Sequence, residues 1–234
     1  MPVEPDVSAL PEMLPVWESA ARLQKLVPDT VLVGGSAATL YAAHRVSVDH
    51  DHVLVDLASR FEMVLEALER EQDWVTNRVT PGKIILGQLG GIEAGVRQLI
   101  RRVPLEVQDV TLPNGATLRV PTAAETLRIK AFLIVKRNQV RDFVDVAALV
   151  DRYGEGPSAF ELSQIDQYYA DPERSSDAVA SQLVRQLGDP QPKDRSLTDR
   201  LDIYRQLSPR WRDWTAVVDV CSGVAARMIS EDWD

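Results

Sequence analysis

Two aspartates, Asp49 and Asp51, are separated by one residue in a run that predicts a strand over residues 46–55. Side chains alternate along a strand, so both carboxylates point to one face while His50 and His52 point to the other. Two like charges this close repel unless a cation lies between them. Carboxylate oxygens suit Mg²⁺, which also bridges to substrate phosphates. The expected ligand is therefore a metal-bound nucleoside triphosphate.

A glycine turn, Gly34-Gly35-Ser36, precedes the aspartates. It follows a short strand predicted over residues 30–33 and opens a helix predicted over residues 36–44, with Ser36 as the N-cap. Glycines let the backbone approach a phosphate closely, and the free N–H groups at a helix start attract anions. The turn is thus expected to bind the phosphates, with the Ser36 hydroxyl as a further donor.

The rest of the pattern indicates a mixed α/β first half and a helical second half. Helices are expected over residues 11–26 and 59–71, and strands over residues 83–89, 92–99, 105–112 and 117–120. A capping-box sequence at Thr122-Ala-Ala-Glu125 predicts a helix that begins after Pro121 and continues to about Gly154. Further helices are expected over residues 160–170, 176–187, 197–207 and 211–229. We therefore predict an α/β domain over 1–121 and a helical domain over 122–234.

A second group of charged residues lies in the run 128–150. Lys130, Arg137 and Arg141 fall within about 40° of one another on a helix of 3.6 residues per turn, beside an apolar face. Lys136 would lie on that apolar face if the helix were unbroken. The pattern therefore predicts a break near Arg137-Asn138.

This basic stripe has two interpretations. The charges are either ordinary surface residues in (i, i+4) pairs, such as Arg141 with Asp145, or a set that binds phosphate. In the second interpretation Lys130 contacts the triphosphate, Arg137 or Arg141 contacts phosphate or the active-site acids, and Asp142 and Asp145 orient these cations. The glycine turn and the aspartate pair elsewhere in the chain favour the second.

Both blocks resemble the nucleotidyltransferase signature of the DNA polymerase β-like superfamily, and in particular the AbiEii/AbiGii-type toxin nucleotidyltransferases. GGSAATLYAAHRVSVDHD is similar to the family's glycine turn followed by His-Arg, a Ser or Thr, and Asp-x-Asp. RIKAFLIVKRNQVRDFVDVAALV is similar to its Lys…Arg…Arg-Asp-x-x-Asp block. The resemblance covers residues 30–152. It implies an α+β fold, a polymerase β-like mixed sheet flanked by helices with a helical C-terminal part.

The resemblance implies an enzyme that moves a nucleoside monophosphate from an NTP to an acceptor and releases pyrophosphate, with two Mg²⁺ ions held by Asp49 and Asp51. It also implies a toxin of a type IV-like toxin–antitoxin or phage-defence pair, with a cognate antitoxin and the tRNA 3′ end as acceptor. Arg45 is expected to help order the aspartates. The nucleotide-binding set comprises Gly34, Gly35, Ser36, Ser47, Lys130, Arg137 and Arg141, with Lys130 also catalytic.

Superfamily members usually add a third acid from a neighbouring strand, as metal ligand or as base toward the attacking hydroxyl. Glu93 is our candidate, with Glu106 and Asp109 as alternatives. His50 and His52 do not form a zinc site with the aspartates, because residues on opposite strand faces cannot share one tetrahedral ion. We expect the histidines to pack or hydrogen-bond behind the catalytic face.

The composition indicates the kind of protein and the cellular compartment to expect. The 234 residues are 45% hydrophobic, enough for an ordinary core. Cys221 is the single cysteine, so no intramolecular disulfide forms, as in a reducing compartment. The N-terminal residues include acids and prolines rather than a secretory signal, and no window of about 18 apolar residues occurs. We expect a cytoplasmic protein with no membrane span.

The formal net charge of −9 argues against a protein that binds nucleic acid over its whole surface. An RNA acceptor therefore requires a local concentration of bases, and the densest supply near the motifs is Arg97, Arg101 and Arg102 with Arg137 and Arg141. The alternative for the first three is a solvated strand end.

Two other functions stay open at this point. A small-molecule nucleotidyltransferase of the antibiotic-resistance kind shares the glycine turn and the aspartate pair and suits the acidic composition, but the block from Lys130 to Asp145 disfavours it. A catalytically silent member of the fold would act as a binding or regulatory protein. The intact set of Ser36, Asp49, Asp51 and Lys130 disfavours that role.

Overall fold

The computed structural model describes residues 3–101, 103–169, 178–231 and 233. The chain divides into two compact units. The sheet unit is Pro5–Thr122, and the helical unit is Ala123–Asp234, grouped with Met1–Glu4. The domain boundary expected after residue 121 lies next to this division.

The sheet unit contains a mixed β-sheet and three α-helices among its described residues. In chain order its elements are a 3₁₀ helix Pro11–Met13, α1 Leu14–Leu26, β1 Val31–Val33, α2 Gly34–Ala42, β2 Asp49–Leu54, α3 Leu57–Glu69, β3 Trp74–Thr80, β4 Ile84–Leu89, β5 Ile92–Gln98, β6 Val107–Thr111 and β7 Thr117–Pro121. The main sheet has the strand order β1-β2-β5-β4-β3. β2 and β5 run parallel, and the other neighbours run antiparallel. The β6–β7 hairpin is separate. The predicted mixed sheet flanked by helices is confirmed.

One face of the main sheet carries the apolar core of this unit. Leu57 and Phe61 of α3 and Leu23 of α1 pack with Ile85 and Val96 of the central strands. Residues that alternate with these core positions along β2, β4 and β5 face the opposite side, where they are mostly half-buried or exposed. The sheet therefore presents one dry face and one face with accessible side chains.

The edge strand β3 was not predicted. Its pairing with β4 shifts register between Thr76 and Arg78, which is a bulge that interrupts the alternation of a regular strand. Trp74 is buried, whereas Val75 and Val79 are 59% and 40% exposed. Because its apolar residues do not mark one buried face, the sequence pattern lacks the period that identifies a strand.

The helical unit contains most of the predicted helices with shifted ends. Its elements are α4 Ala123–Arg137, α5 Val140–Tyr153, α6 Glu155–Ser163, α7 Asp166–Tyr169, α8 Val179–Gly188, α9 Trp214–Ser230, and 3₁₀ helices Arg195–Leu197, Leu201–Ile203 and Pro209–Arg212. Residues 170–177, which include the ends of two predicted helices, lie outside the described residues. The helix predicted over 197–207 is wrong, because only Leu201 and Leu207 in it are buried and two positions cannot form a helical apolar face.

The break predicted near Arg137-Asn138 is confirmed. Asn138 adopts a left-handed conformation with φ of 52°, which ends α4. The next helix begins at Val140, whose N–H donates to Asp194 Oδ1 at 2.8 Å. The break divides the basic stripe, with Lys130 and Arg137 on α4 and Arg141 on α5.

Candidate active site

Strand β2 presents the two aspartates on one face, as predicted. Asp49, Asp51 and Val53 are half-buried, and the residues between them are buried. Asp49 Oδ1 accepts a hydrogen bond from the Ser47 hydroxyl at 2.8 Å. Asp51 Oδ1 accepts one from Arg97 Nε at 3.2 Å. Among the described residues the Oδ2 atoms of both aspartates have no hydrogen-bond partner, so each carboxylate keeps one oxygen available.

The histidines lie behind the aspartates, as expected. His50 Nδ1 lies 3.0 Å from His52 Nε2, and His50 Nε2 lies 3.0 Å from the Ser19 hydroxyl. Burial lowers the pKa of His50 to about 4, against a smaller opposing effect of Asp49. Burial, and then the proximity of His50, lower the pKa of His52 well below its usual value. Both rings are therefore neutral at pH 7 and support the strand from its core side.

The glycine turn adjoins Asp51 and begins helix α2. Gly34 has φ of 81°, and a Cβ added there would lie 3.7 Å from Asp51 Cβ. At Gly35 an added Cβ would lie 2.5 Å from Arg45 Nη2 and 2.7 Å from Ser47 Oγ. A larger residue at this second position would therefore have to displace the side chains of Arg45 and Ser47, both of which are buried.

Ser36 differs from its predicted role as a helix cap. α2 begins at Gly34 with Val33 as its N-cap, so Ser36 lies inside the first turn. Its side chain is 1% exposed and donates to the backbone carbonyl of Asp49. The indole of Trp17 donates to the Ser36 carbonyl at 3.0 Å. Ser36 thus ties the start of α2 to the strand that carries the aspartates.

Glu93 lies on the strand next to the aspartates. In the parallel pair of β2 and β5 it is in register with Asp49. Paired residues on neighbouring strands are about 4.8 Å apart and share a face, so Glu93 stands beside the aspartate pair. Its side chain is exposed, without a hydrogen-bond or ion-pair partner among the described residues. Of the two alternatives, Glu106 and Asp109, neither lies in the main sheet, and Asp109 is close to Arg119.

Gly95 and Arg97 are site residues whose role the sequence analysis missed. Gly95 is in register with Asp51, and a Cβ there would lie 2.7 Å from Asp51 Oδ1. The missing side chain gives the carboxylate room to lie over β5 and meet Arg97. The signal was present in the sequence, because Glu93, Gly95 and Arg97 are spaced by two and must share one strand face.

Two members of the predicted basic cluster, Arg97 and Arg101, have partners within the sheet unit. Arg97 contacts Asp51, whereas Arg101 is 8% exposed and donates to the carbonyls of Val103 and Pro104 at 2.8 Å. Arg102 lies outside the described residues. Arg101 therefore orders its own loop, because a buried guanidinium must satisfy its donors with nearby backbone oxygens.

The charged block of the helical unit is largely paired within itself. Lys130 Nζ lies 2.7 Å from Asp145 Oδ2, and the two side chains are 2% and 0% exposed. Arg137 donates through Nε and Nη2 to the two oxygens of Asp142, both at 2.6 Å. Arg141 is exposed and has no ion pair among the described residues. Asp142 and Asp145 thus orient cations, as expected, and Asp145 binds Lys130 rather than Arg141.

The donor set fits a divalent cation of the Mg²⁺ type. Two half-buried carboxylates on one face each offer a free oxygen, and Mg²⁺ commonly binds one or two carboxylates together with water and substrate phosphates. No group of three or more His, Cys, Asp or Glu residues arranged for a metal ion occurs in the described part of the chain. Water and substrate phosphates would complete the coordination of an ion held by the two aspartates.

Residues 19–219 match the protein family described as the nucleotidyl transferase AbiEii toxin of type IV toxin–antitoxin systems. The chain belongs to this family. The match confirms the family that the two sequence blocks indicated.

Two solved structures share the fold of this family member. MenT4, a nucleotidyltransferase toxin from Mycobacterium tuberculosis H37Rv, is 17% identical with a TM-score of 0.58, over 95% of this chain and 87% of that chain. An antigenic nucleotidyltransferase-like protein from Paracoccidioides brasiliensis is 15% identical with a TM-score of 0.50, over 88% and 97% of the two chains. At these identities the likeness shows the fold.

The AbiEii-family chain is also similar to mycobacterial MmpL11 proteins. The mycolic acid-containing lipids exporter MmpL11 of Mycolicibacterium smegmatis is 41% identical over 131 residues, which cover 56% of this chain and 13% of that protein. The heme uptake protein MmpL11 of Mycobacterium tuberculosis is 32% identical over 92% of this chain and 23% of that protein. The chain thus spans less than a quarter of the length of these relatives. Within the described residues, no helix has the length and apolar character needed to cross a membrane.

Proposed function

We propose that this AbiEii-family enzyme transfers a nucleoside monophosphate from an NTP to the 3′ end of tRNA in a Mg²⁺-dependent reaction that releases pyrophosphate. The observation that carries the proposal is the pair of aspartates on one strand face, each with a free carboxylate oxygen, beside a helix-starting glycine turn. Carboxylates that would repel one another in isolation become favourable ligands when a metal-bound triphosphate lies between them and the turn.

Each residue has a defined part in this reaction. Asp49 and Asp51 would hold the two Mg²⁺ ions, and bound Mg²⁺ would neutralise charge on the phosphate oxygens. The backbone N–H groups at Gly34 and Gly35 bind the triphosphate at the start of α2. The Ser47 hydroxyl donates to Asp49 Oδ1 and so orients Oδ2, the oxygen without a partner among the described residues. Ser36 acts through the strand, because its hydroxyl is already bonded to the Asp49 carbonyl.

The transfer is an in-line displacement at the α-phosphorus. The acceptor hydroxyl oxygen forms the new bond to phosphorus, while the bond to the bridging oxygen of the β-phosphate breaks and pyrophosphate leaves. Glu93 receives the hydroxyl proton, because it is the acid in register with Asp49 and has no competing partner among the described residues. The predicted contact of Lys130, Arg137 or Arg141 with phosphate stays a prediction, and Arg141 is the exposed member of that set.

The family supports a toxin nucleotidyltransferase, and the charge of the chain favours a second candidate acceptor. The net charge of −9 gives no general attraction to RNA, and Arg101 donates to carbonyls of its own loop. A small hydroxyl-bearing acceptor would require no such surface. Both candidates use the same nucleotide site, and both substrates would be met in the cytoplasm.

Transfer assays with each labelled NTP distinguish these acceptors. Purified protein is incubated with total tRNA, or with aminoglycosides as small acceptors, in Mg²⁺ and in EDTA, and Asp49→Ala is the matched inactive variant. We expect label at the tRNA 3′ end in Mg²⁺ alone and none with the variant. Label on the small acceptor but not on tRNA would replace the first candidate with the second. Transfer that survives EDTA or the Asp49→Ala change would overturn the metal site.

A further inference from the structure

We propose that Arg97 is the internal counter-ion of the metal-binding site: it holds Oδ1 of Asp51, opposes the binding of a divalent cation at that carboxylate, and thereby sets the metal concentration that the enzyme requires. Arg97 Nε lies 3.2 Å from Asp51 Oδ1, the only ion pair of either aspartate among the described residues. This inference rests on the proposed function, because it assumes that Asp51 is a metal ligand.

The backbone of β5 next to Asp51 leaves room for the contact between Asp51 and Arg97. Gly95 is in register with Asp51, and any larger residue there would place its Cβ 2.7 Å from the carboxylate oxygen that Arg97 binds. Arg97 is in register with Val53, one step further along the same face. The carboxylate therefore lies over the bare backbone of β5, within reach of an arginine anchored on that strand.

The contact is weak enough to be displaced. The side chains of Arg97 and Asp51 are 44% and 33% exposed, and the guanidinium binds through Nε alone. Pairs of this exposure are screened by solvent and contribute little to stability. A divalent cation carries twice the charge and binds the carboxylate oxygen directly. Arg97 thus relieves the repulsion between Asp49 and Asp51 without blocking the site permanently.

Removing the charge of Arg97 has a distinctive consequence for metal binding. A cation beside the site opposes the entry of a second cation, so Arg97→Gln should bind the metal more tightly than the wild-type protein. At a separation of a few ångströms in a solvent-screened site, we expect about a three- to tenfold lower Kd. A residue that only supported the fold would weaken metal binding or leave it unchanged when replaced.

The experiment measures Mn²⁺ binding to the full chain by electron paramagnetic resonance, with and without a non-hydrolysable NTP analogue. Four variants accompany the wild-type protein. Arg97→Lys keeps the charge and should stay within about twofold of wild type. Arg22→Gln is the matched control, because Arg22 is 41% exposed, pairs with Glu71 and lies in the same unit. Arg97→Gln and Asp51→Asn complete the set.

The outcomes distinguish a failure of the counter-ion role of Arg97 from a failure of the proposed metal site. Tighter Mn²⁺ binding in Arg97→Gln, with Arg22→Gln unchanged, supports the counter-ion. Equal or weaker binding in Arg97→Gln, while Asp51→Asn still loses Mn²⁺, overturns the counter-ion and leaves the proposed metal site intact. Mn²⁺ binding that Asp51→Asn does not reduce overturns both, because Asp51 would then not be a ligand.

Discussion

The two charged regions of the chain neutralise their charges in opposite ways. In the sheet unit, Asp49 and Asp51 are half-buried, and each has one oxygen without a partner among the described residues. In the helical unit, Lys130 and Asp145 are 2% and 0% exposed and lie in direct contact. The first region thus keeps carboxylate oxygens accessible, whereas the charges of the second are buried against each other.

The difference has a physical cause in solvation. A half-exposed carboxylate pair keeps part of its hydration, so it tolerates an unsatisfied oxygen until a cation arrives. A fully buried charge has lost its water and depends on its partner for nearly all of its stabilisation. Carboxylates in the two units therefore differ: those of β2 each keep an oxygen without a partner among the described residues, whereas Asp145 is paired with Lys130.

The largest effect is expected at the aspartates and should be confined to activity. Asp49→Asn or Asp51→Asn removes a proposed metal ligand, so nucleotide transfer should fall on the order of 1,000-fold or more. Stability should be unchanged or slightly higher, because repulsion is relieved. Parallel transfer assays and thermal unfolding check this. A large fall in melting temperature would show that the aspartates resemble the buried pair after all.

For the buried pair of Lys130 and Asp145, the expected effect of a substitution is a loss of stability. Asp145→Asn leaves the Lys130 ammonium buried without a counter-charge and should lower the free energy of unfolding by about 3–5 kcal/mol. Urea denaturation measures this change. The double variant Lys130→Met with Asp145→Leu should recover most of the loss, since two apolar side chains need no pairing. If Asp145→Asn is as stable as wild type, the pair has no structural role.

A smaller effect is expected at the glycine turn of the sheet unit. Gly35→Ala forces a Cβ against Arg45 Nη2 and Ser47 Oγ, at 2.5 and 2.7 Å, and should cost about 1–3 kcal/mol of stability. Gly188→Ala is the control, because its nearest neighbour, Ala225 Cβ, would lie 3.8 Å away. Urea denaturation of both variants makes the comparison. Equal stability of the two would remove the steric argument for Gly35.

The smallest expected effect is a pH dependence of stability caused by His50, which lies on the core side of β2. The unfolded chain binds a proton at His50 near pH 6.5, whereas burial lowers the folded pKa to about 4. The folded state is therefore most stable above pH 6.5, where His50 is neutral in both states. Its free energy of unfolding decreases as the pH falls toward 4, because only the unfolded chain takes up the proton. Between pH 7.5 and 5.5 the loss should be about 1.4 kcal/mol. Urea denaturation at both pH values, with His50→Gln as reference, tests this, and an identical pH dependence in the variant would contradict it.

Most of the sheet unit could be predicted from its sequence, because its elements have strong local signals. The β-branched runs, the glycine turn and the alternation at Asp49 and Asp51 place β1, α2 and β2 within a few residues. The break at Asn138 was predicted because Lys136 did not fit an unbroken apolar face. β3 was missed because a bulge removes its alternation, and the helix over 197–207 was wrong because that segment has few buried residues.

The sequence by itself determined which residues can do chemistry, since the order of glycine turn, aspartate pair and basic block is a property of residue type and spacing. Only the tertiary structure decided which of them have counter-charges. Strand register places Glu93 beside Asp49 and brings Arg97 within reach of Asp51, and helix packing buries Lys130 against Asp145. These pairings join residues distant in sequence, so spacing along the chain does not fix which charge meets which.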